Sequence, residues 1–418
     1  MSDYLPVEVI TNILLRLPAK SLVICTSVCK SWRSMIKDSS FIGAHHSRTI
    51  DSNNRHGTHL LLLHRFYPKD SSLEGRNSSV DGVKNDVYSL HYDNSSFDDC
   101  CEIGLQCPIA ERGMHNECFR VVGVCNGLVC LADDLECYGY TFLIWNPSIR
   151  KVVTLPSPGL TFQTVGGYDA YHGFAFDAVT KDYKVVRIVE DQYGWNDKEA
   201  ENRTFVEVYS LAASSWSSSR LIDPQCGLSG IRSPSAFVNG ALHWDAHGLR
   251  SSTRRYFILA FDVGSELFQE IMMPKCLDWD SLCLGGMTLR SSVSGDGNSL
   301  ALFVRCSSDS NADSLLDVWV MKEYCVEESW TKLTTLRPPG PEGNLHKALC
   351  FRKSGEVVMI CNFGWDYYGS RDAESELVSL DLVSGHFKNL GICRYKHYTM
   401  DPYEESLVLL DRSEAVSC

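Results

Sequence analysis

The side chains best suited to chemistry are thiols and imidazoles: 418 residues carry 18 cysteines and 13 histidines. A structural zinc site needs such ligands in close pairs that bring four of them together. No Cys-x-x-Cys pair begins such a site. Cys25 and Cys29 stand four residues apart, as do Cys393 and His397, but neither pair has a second pair to complete it. Cys29 falls on an apolar helical stripe, and Cys125, Cys130 and Cys361 fall in strand-like apolar runs. In such places a free thiol acts as a small hydrophobe. There is no Gly-x-Ser-x-Gly elbow, no Gly-x-Gly-x-x-Gly turn and no P-loop. The expectation is a protein without a catalytic residue, metal or cofactor.

Recognition chemistry is better represented. Four stretches mix aromatic residues with glycine and acids: Gly166 to Tyr171, Gln192 to Trp195, Leu277 to Asp280 and Gly364 to Gly369. Tyr and Trp offer large, stiff contact area and dominate binding hot spots. Read as loops, these stretches make Tyr168, Tyr171, Tyr193, Trp195, Trp279, Trp365, Tyr367 and Tyr368 candidate target-binding residues. The neighbouring acids favour a basic target surface. The bland reading is that these rings pack between sheets.

Two kinds of element must position them. From Leu5 to Ile36 the pattern is helical. Val9, Ile10, Ile13, Leu14 and Leu17 line one face, Pro6 opens the first turn and Pro18 closes the helix. A second helix starts near Lys20, and a third carries Val28, Cys29, Trp32 and Ile36, with Phe41 at the exit. So short a stretch holds more apolar surface than it can bury alone, so it packs on a partner or on the rest of the chain. Residues 46–59 are polar and aperiodic and read as a linker.

From residue 60 to 412 the pattern changes to short runs of Val, Ile, Leu, Tyr and Phe broken by Gly, Asn, Asp, Ser and Pro, the mark of many short strands. A unit recurs six times, anchored on Tyr88, Trp145, Tyr209, Phe261, Trp319 and Leu380, at spacings from 52 to 64 residues. In four units a second large residue follows seven positions on: Val152, Trp216, Phe268 and Phe387. In the Tyr88 and Trp319 units it comes later, at Phe97 and Trp330. Each unit reads as a hairpin that pairs its two large residues on one face. An all-β period of this length points to about six propeller blades. The alternative is a pair of stacked β-sandwiches. The tail from Tyr398 to Leu410 reads as a strand pair that completes the blade begun by Leu60 to Leu90, because an open sheet edge invites aggregation.

The bulk properties set limits. Hydrophobic content of 44% is that of a folded domain. No run approaches a membrane span and no export signal opens the chain, so no membrane partner is expected and the thiols should be mostly reduced. A net charge of −13 argues against nucleic acid, although residues 1–50 carry six bases against three acids. A locally basic helical module suits an acidic partner.

Specific residues then sharpen the reading. Leu5-Pro6, Ile13-Leu14, Leu17-Pro18, Lys20-Ser21-Leu22, Val28-Cys29-Lys30, Trp32 and Phe41 closely resemble the plant-type F-box. GVCNGLVCLADD from Gly123, FLIWNPSIRKVVTLPSP from Phe142, HGFAFDAVTKDYKVVRIV from His172, VNGALHW from Val238 and DVWVMKEYCVEESWTKL from Asp317 resemble the F-box-associated domain of plant F-box proteins. Double glycines occur only at Gly166-Gly167 and Gly285-Gly286, so the domain is kelch-like rather than kelch. The resemblance implies a three-helix F-box over 1–45 and an all-β kelch-like propeller over 60–412. It implies a non-catalytic, substrate-recruiting subunit of a ubiquitin ligase, working in cytosol or nucleus. The helices would bind a Skp-type adaptor, and through it a cullin, using Leu5, Pro6, Ile13, Leu17, Pro18, Leu22, Val28 and Trp32. The propeller would hold a protein target of unknown identity. The competing reading is a lectin or small-molecule sensor whose helices merely cap the sheets, since aromatic and acidic loops also suit sugars.

Overall fold

The computed structural model describes residues 5–66, 86–105, 116, 118–134, 138–191, 203–222, 226–228, 236–248, 255–275, 277, 282–292, 299–306, 315–337, 343–363 and 374–417. Contacts divide the chain into two compact units. One unit comprises Met1–Leu63, Tyr88–Pro156 and Pro402–Cys418; the other comprises His64–Val87 and Ser157–Asp401.

The first unit opens with four helices rather than three: α1 (Val7–Leu14), α2 (Ala19–Cys25), α3 (Lys30–Ile36) and α4 (Ser39–His56). The stretch expected to be a linker is therefore helical to His56. Asp38 caps α4 through the Ser40 amide, and Gly57 ends it in the left-handed region at φ 65°. Phe41, Ile42 and His45 recur on its buried face. Pro18 does not end α1, which stops at Leu14; it stands instead as the cap residue of α2. Cys29 is not a core residue. It is exposed, and its Sγ accepts from the Trp32 amide as the cap of α3.

Six antiparallel sheets follow, one for each repeat anchor. Blade 1 holds Leu60–Phe66, Asp86–Tyr92 and Asp99–Ile103, with His397–Tyr403 first in the strand order. Blade 2 holds Arg120–Cys125, Leu128–Ala132, Phe142–Asn146 and Lys151–Thr154. Blade 3 holds Tyr168–Asp177, Asp182–Asp191 and Thr204–Ser210, edged by Ser215–Trp216 and Arg220–Leu221. In blade 4, Cys226–Leu228 and Ala236–Val238 both pair with Ala241–Gly248, before Tyr256–Asp262 and Phe268–Met272. Blade 5 runs through Leu282–Ser292, Ser299–Cys306, Leu315–Met321 and Trp330–Leu336. Blade 6 runs through Gly343–Phe351, Val357–Phe363, Glu374–Leu380 and Phe387–Cys393.

All six anchors are buried, each on a different sheet. The seven-residue spacing is a ladder register: Trp145 faces Val152, Tyr209 faces Trp216, Phe261 faces Phe268 and Leu380 faces Phe387. The two longer units differ. A bulge at Val318/Trp319 puts Lys332 opposite Trp319, and Trp330 faces Met321. Phe97 lies in a turn at φ 56°, stacked on His91 with ring centroids 4.6 Å apart. In the second unit, apolar clusters join blade 3 to 4, 4 to 5 and 5 to 6.

The tail is not a strand pair. After His397–Tyr403 it crosses blade 2 and ends in Val416–Ser417, paired with Val152 and Lys151. Asn146 Nδ2 donates to the carbonyls of Ser406 (3.0 Å) and Val408 (2.8 Å), and Lys151 Nζ to that of Ala415 (2.9 Å). Leu407 and Leu409 of the tail are buried, Leu409 at a strained φ of 77°. Asn146→Ala leaves two carbonyls without this donor and is expected to cost about 1–3 kcal/mol of unfolding free energy. Urea titration checks this; a midpoint equal to wild type contradicts it.

Candidate functional site

Two surfaces were expected, one on the helices and one on the sheets. On the helices, the predicted adaptor-facing residues divide by burial. Leu5 (56% exposed), Ile13 (49%) and Val28 (63%) present apolar side chains outward, and Pro6 and Pro18 are also exposed. Leu17 and Trp32 are half-buried. Leu22 is fully buried, so it belongs to the helices' own core and cannot face a partner. Val7, Val9 and Ile24 are exposed as well, Ile24 at 72%. A helical stripe marks apolar residues but cannot say which of them the module keeps for itself.

The module's frame is polar at its seams. Thr11 Oγ1 donates to the Val7 carbonyl (2.8 Å) and lies 3.3 Å from Met35 Sδ, tying α1 to α3. Arg33 Nε donates to the Thr26 carbonyl at 3.0 Å. The Ser40 hydroxyl and amide hold the Asp38 carboxyl below its usual range. Beside these seams lies an open cleft of about 680 Å³, lined among others by Val7, Leu15, Met35 and Phe41. An exposed apolar face beside a cleft, on short rigid helices, is suited to holding another protein.

The sheet surface needs larger corrections. Tyr168 and Tyr171 are not in a loop. Both lie on the first strand of blade 3 and are buried. Tyr171 donates to the Leu228 carbonyl (3.0 Å), and Glu190 Oε2 accepts from the Leu228 amide (3.2 Å). Together they clamp the start of blade 4. Tyr193, Trp195, Trp279, Trp365, Tyr367 and Tyr368 lie outside the described residues.

The Glu190 clamp has a pH signature. Burial drives its carboxyl up to about 7, against the Leu228 amide, with Asp169 adding to the rise. Its folded value stands above the unfolded 4.5, so the stabilisation is fully present below 4.5 and is lost as pH rises through about 7. Glu190→Gln is expected to flatten stability between these limits and to gain on the order of 2 kcal/mol at about pH 8. Urea midpoints against pH check it; an unchanged slope contradicts it.

Residues 82–391 match the family model described as the F-box associated beta propeller domain, and residues 3–42 match the F-box domain. This chain is an F-box protein with an F-box-associated β-propeller. The match confirms the six blades as those of a propeller and the helices as an F-box. Among relatives, an F-box/kelch-repeat protein of Arabidopsis thaliana is 27% identical over 397 residues, covering 90% of this chain and 95% of the relative. The F-box protein CPR1 of Arabidopsis thaliana is 27% identical over 347 residues, covering 80% and 73%. Among solved structures, the polysaccharide lyase Uly1 gives a TM-score of 0.37 at 9% identity, over 79% of this chain and 80% of that one. A score this low bears on neither mechanism nor activity. Membership in the F-box family supports a general role in substrate recognition for a ubiquitin ligase.

Proposed function

We propose that this F-box protein is the non-catalytic substrate-recruiting subunit of a Skp–cullin–F-box ubiquitin ligase. The observation that supports the reading is the density of exposed apolar side chains on the helices: Leu5, Val7, Val9, Ile13, Ile24 and Val28 all fall within residues 5–28. Such a surface on a module with its own buried core needs a partner. A Skp-type adaptor fills that need, and a cullin is reached through it. The propeller holds a protein target. Loops on a rigid scaffold carry binding disproportionately. The chemistry is supplied elsewhere. The subunit contributes proximity, raising the effective concentration of target near activated ubiquitin.

The test is size-exclusion chromatography of the full chain with a purified Skp-type adaptor. A co-eluting complex is expected, and separate elution of two folded proteins contradicts the reading.

A further inference from the structure

We propose that Cys100 and Cys101 form a dithiol site for trivalent arsenic, shaped by a β-bulge on the outer strand of blade 1. The pair and the residues around it, Lys20, Tyr92 and Glu405, all lie in the first compact unit. No residue of the proposed adaptor face takes part.

Neighbouring residues on a regular strand point to opposite faces, so two adjacent cysteines ordinarily cannot grip one atom. Here the ladder is broken. Leu90 faces Cys101 and His91 faces Asp99, which leaves Cys100 as the extra residue of a bulge. A bulge sets two residues against one on the partner strand and re-aims the inserted side chain. The thiols converge as a result. The Tyr92 hydroxyl and the Cys101 thiol each hydrogen-bond to Cys100. Both cysteines are free and exposed, and their strand, Asp99–Ile103, stands last in the order of its sheet. Lys20 of α2 and Glu405 of the tail are within electrostatic reach of Cys101. Cys325, also exposed, differs: its hydrogen-bonding neighbour is Tyr324 rather than a second thiol.

The donors decide the ligand class. Structural zinc takes four ligands, with its sulfurs as thiolates. Among the described residues no third cysteine, histidine or carboxylate joins this pair to complete a cation cluster. Burial, with Cys100 beside it, also raises the Cys101 thiol above its usual range, so it keeps its proton. Trivalent arsenic asks for less. It is thiophilic, needs only two sulfurs and reacts with protonated thiols. An arsenoxide, R–As=O, gains two As–S bonds and loses its oxygen, which leaves as water with the two thiol protons. Arsenic stays trivalent, and nothing is oxidised or reduced. With the second sulfur already beside the first, ring closure is intramolecular, and the pair outbinds a single thiol.

Phenylarsine oxide is the probe, applied to the reduced, folded full chain in excess glutathione. Proteolysis and mass spectrometry are expected to place an adduct bridging Cys100 and Cys101, removed by ethanedithiol but not by glutathione. Cys100→Ser and Cys101→Ser should each weaken binding at this site about a hundredfold, and Cys325→Ser should leave it unchanged. Both thiols are exposed, so serine costs the fold little. The adduct map on wild type decides the matter even if a variant fails to fold. The proposal is overturned by adducts on other cysteines while Cys100 and Cys101 stay open to alkylation, or by release in glutathione alone. A folded Cys100→Ser or Cys101→Ser variant that binds within about twofold of wild type overturns it as well.

Discussion

Ile13→Glu combined with Val28→Glu is expected to weaken binding of a Skp-type adaptor at least about a hundredfold while leaving the melting temperature within about 2 °C. Both side chains are about half or more exposed, so charge there costs the fold little. In a complex the same two charges would be stripped of water with no partner, and truncating or charging a buried anchor typically removes several kcal/mol. Leu22→Ala is the contrasting variant. Its side chain is fully buried, and a Leu-to-Ala cavity costs about 2–5 kcal/mol. It should lower the melting temperature and lose adaptor only through unfolding of the module. Calorimetric titration and thermal melts on the same three proteins separate the cases. A double-glutamate variant that binds like wild type would show that the exposed helical face serves something else.

Glu207→Ala is expected to cost about 3–5 kcal/mol, the largest loss from any single polar change in blade 3. Arg187 and Glu207 form a salt bridge with both side chains buried. Glu207 Oε2 also accepts from the amides of Gly159 (3.0 Å) and Leu160 (3.2 Å). Arg187 donates to the Leu160 carbonyl (2.7 Å) and the Tyr168 hydroxyl (2.8 Å), and lies 5.2 Å from the Tyr168 ring centre. Removing the carboxylate strands a buried guanidinium and two amides. Arg187→Met with Glu207→Leu removes both charges together and should recover most of the loss, since a buried pair contributes little beyond an apolar replacement. Urea denaturation of the three proteins decides it. A single variant within about 1 kcal/mol of wild type contradicts the account.

Much of the fold is readable from residue spacing, and the failures have physical causes. Large residues seven apart mark a two-strand hairpin because a tight turn sets them opposite each other, as Trp145 and Val152 are. The same logic misplaces Trp330, because a bulge and a short 3-10 turn at Glu327–Ser329 lengthen the connection from Trp319. Helix α4 looks like linker because most of its residues are polar. Its signals were present nonetheless: Asp38 and Gly57 as caps, and Phe41, Ile42 and His45 on one face. The aromatic residues expected to face a target were the hardest to place. Gly166-Gly167 suggested a loop, but Thr161 and Thr164 cap a single helical turn at Phe162–Val165, and the strand begins at once at Tyr168. Tyrosines there are needed inside, for the clamp on blade 4 and for Arg187. On the helices, type and spacing found the apolar residues, but only packing separates Leu22 from Val28.

The central claim is that the F-box face, not the blades, docks the adaptor. The most direct test places a photo-crosslinking phenylalanine analogue at position 28 of the full chain, and in a second preparation at position 383, and irradiates each with a purified Skp-type adaptor. Val28 is 63% exposed on the helical module and Val383 is 96% exposed on a hairpin of blade 6. A covalent adduct from position 28 and none from position 383 is the predicted result. An adduct from position 383 and none from position 28 would contradict the account.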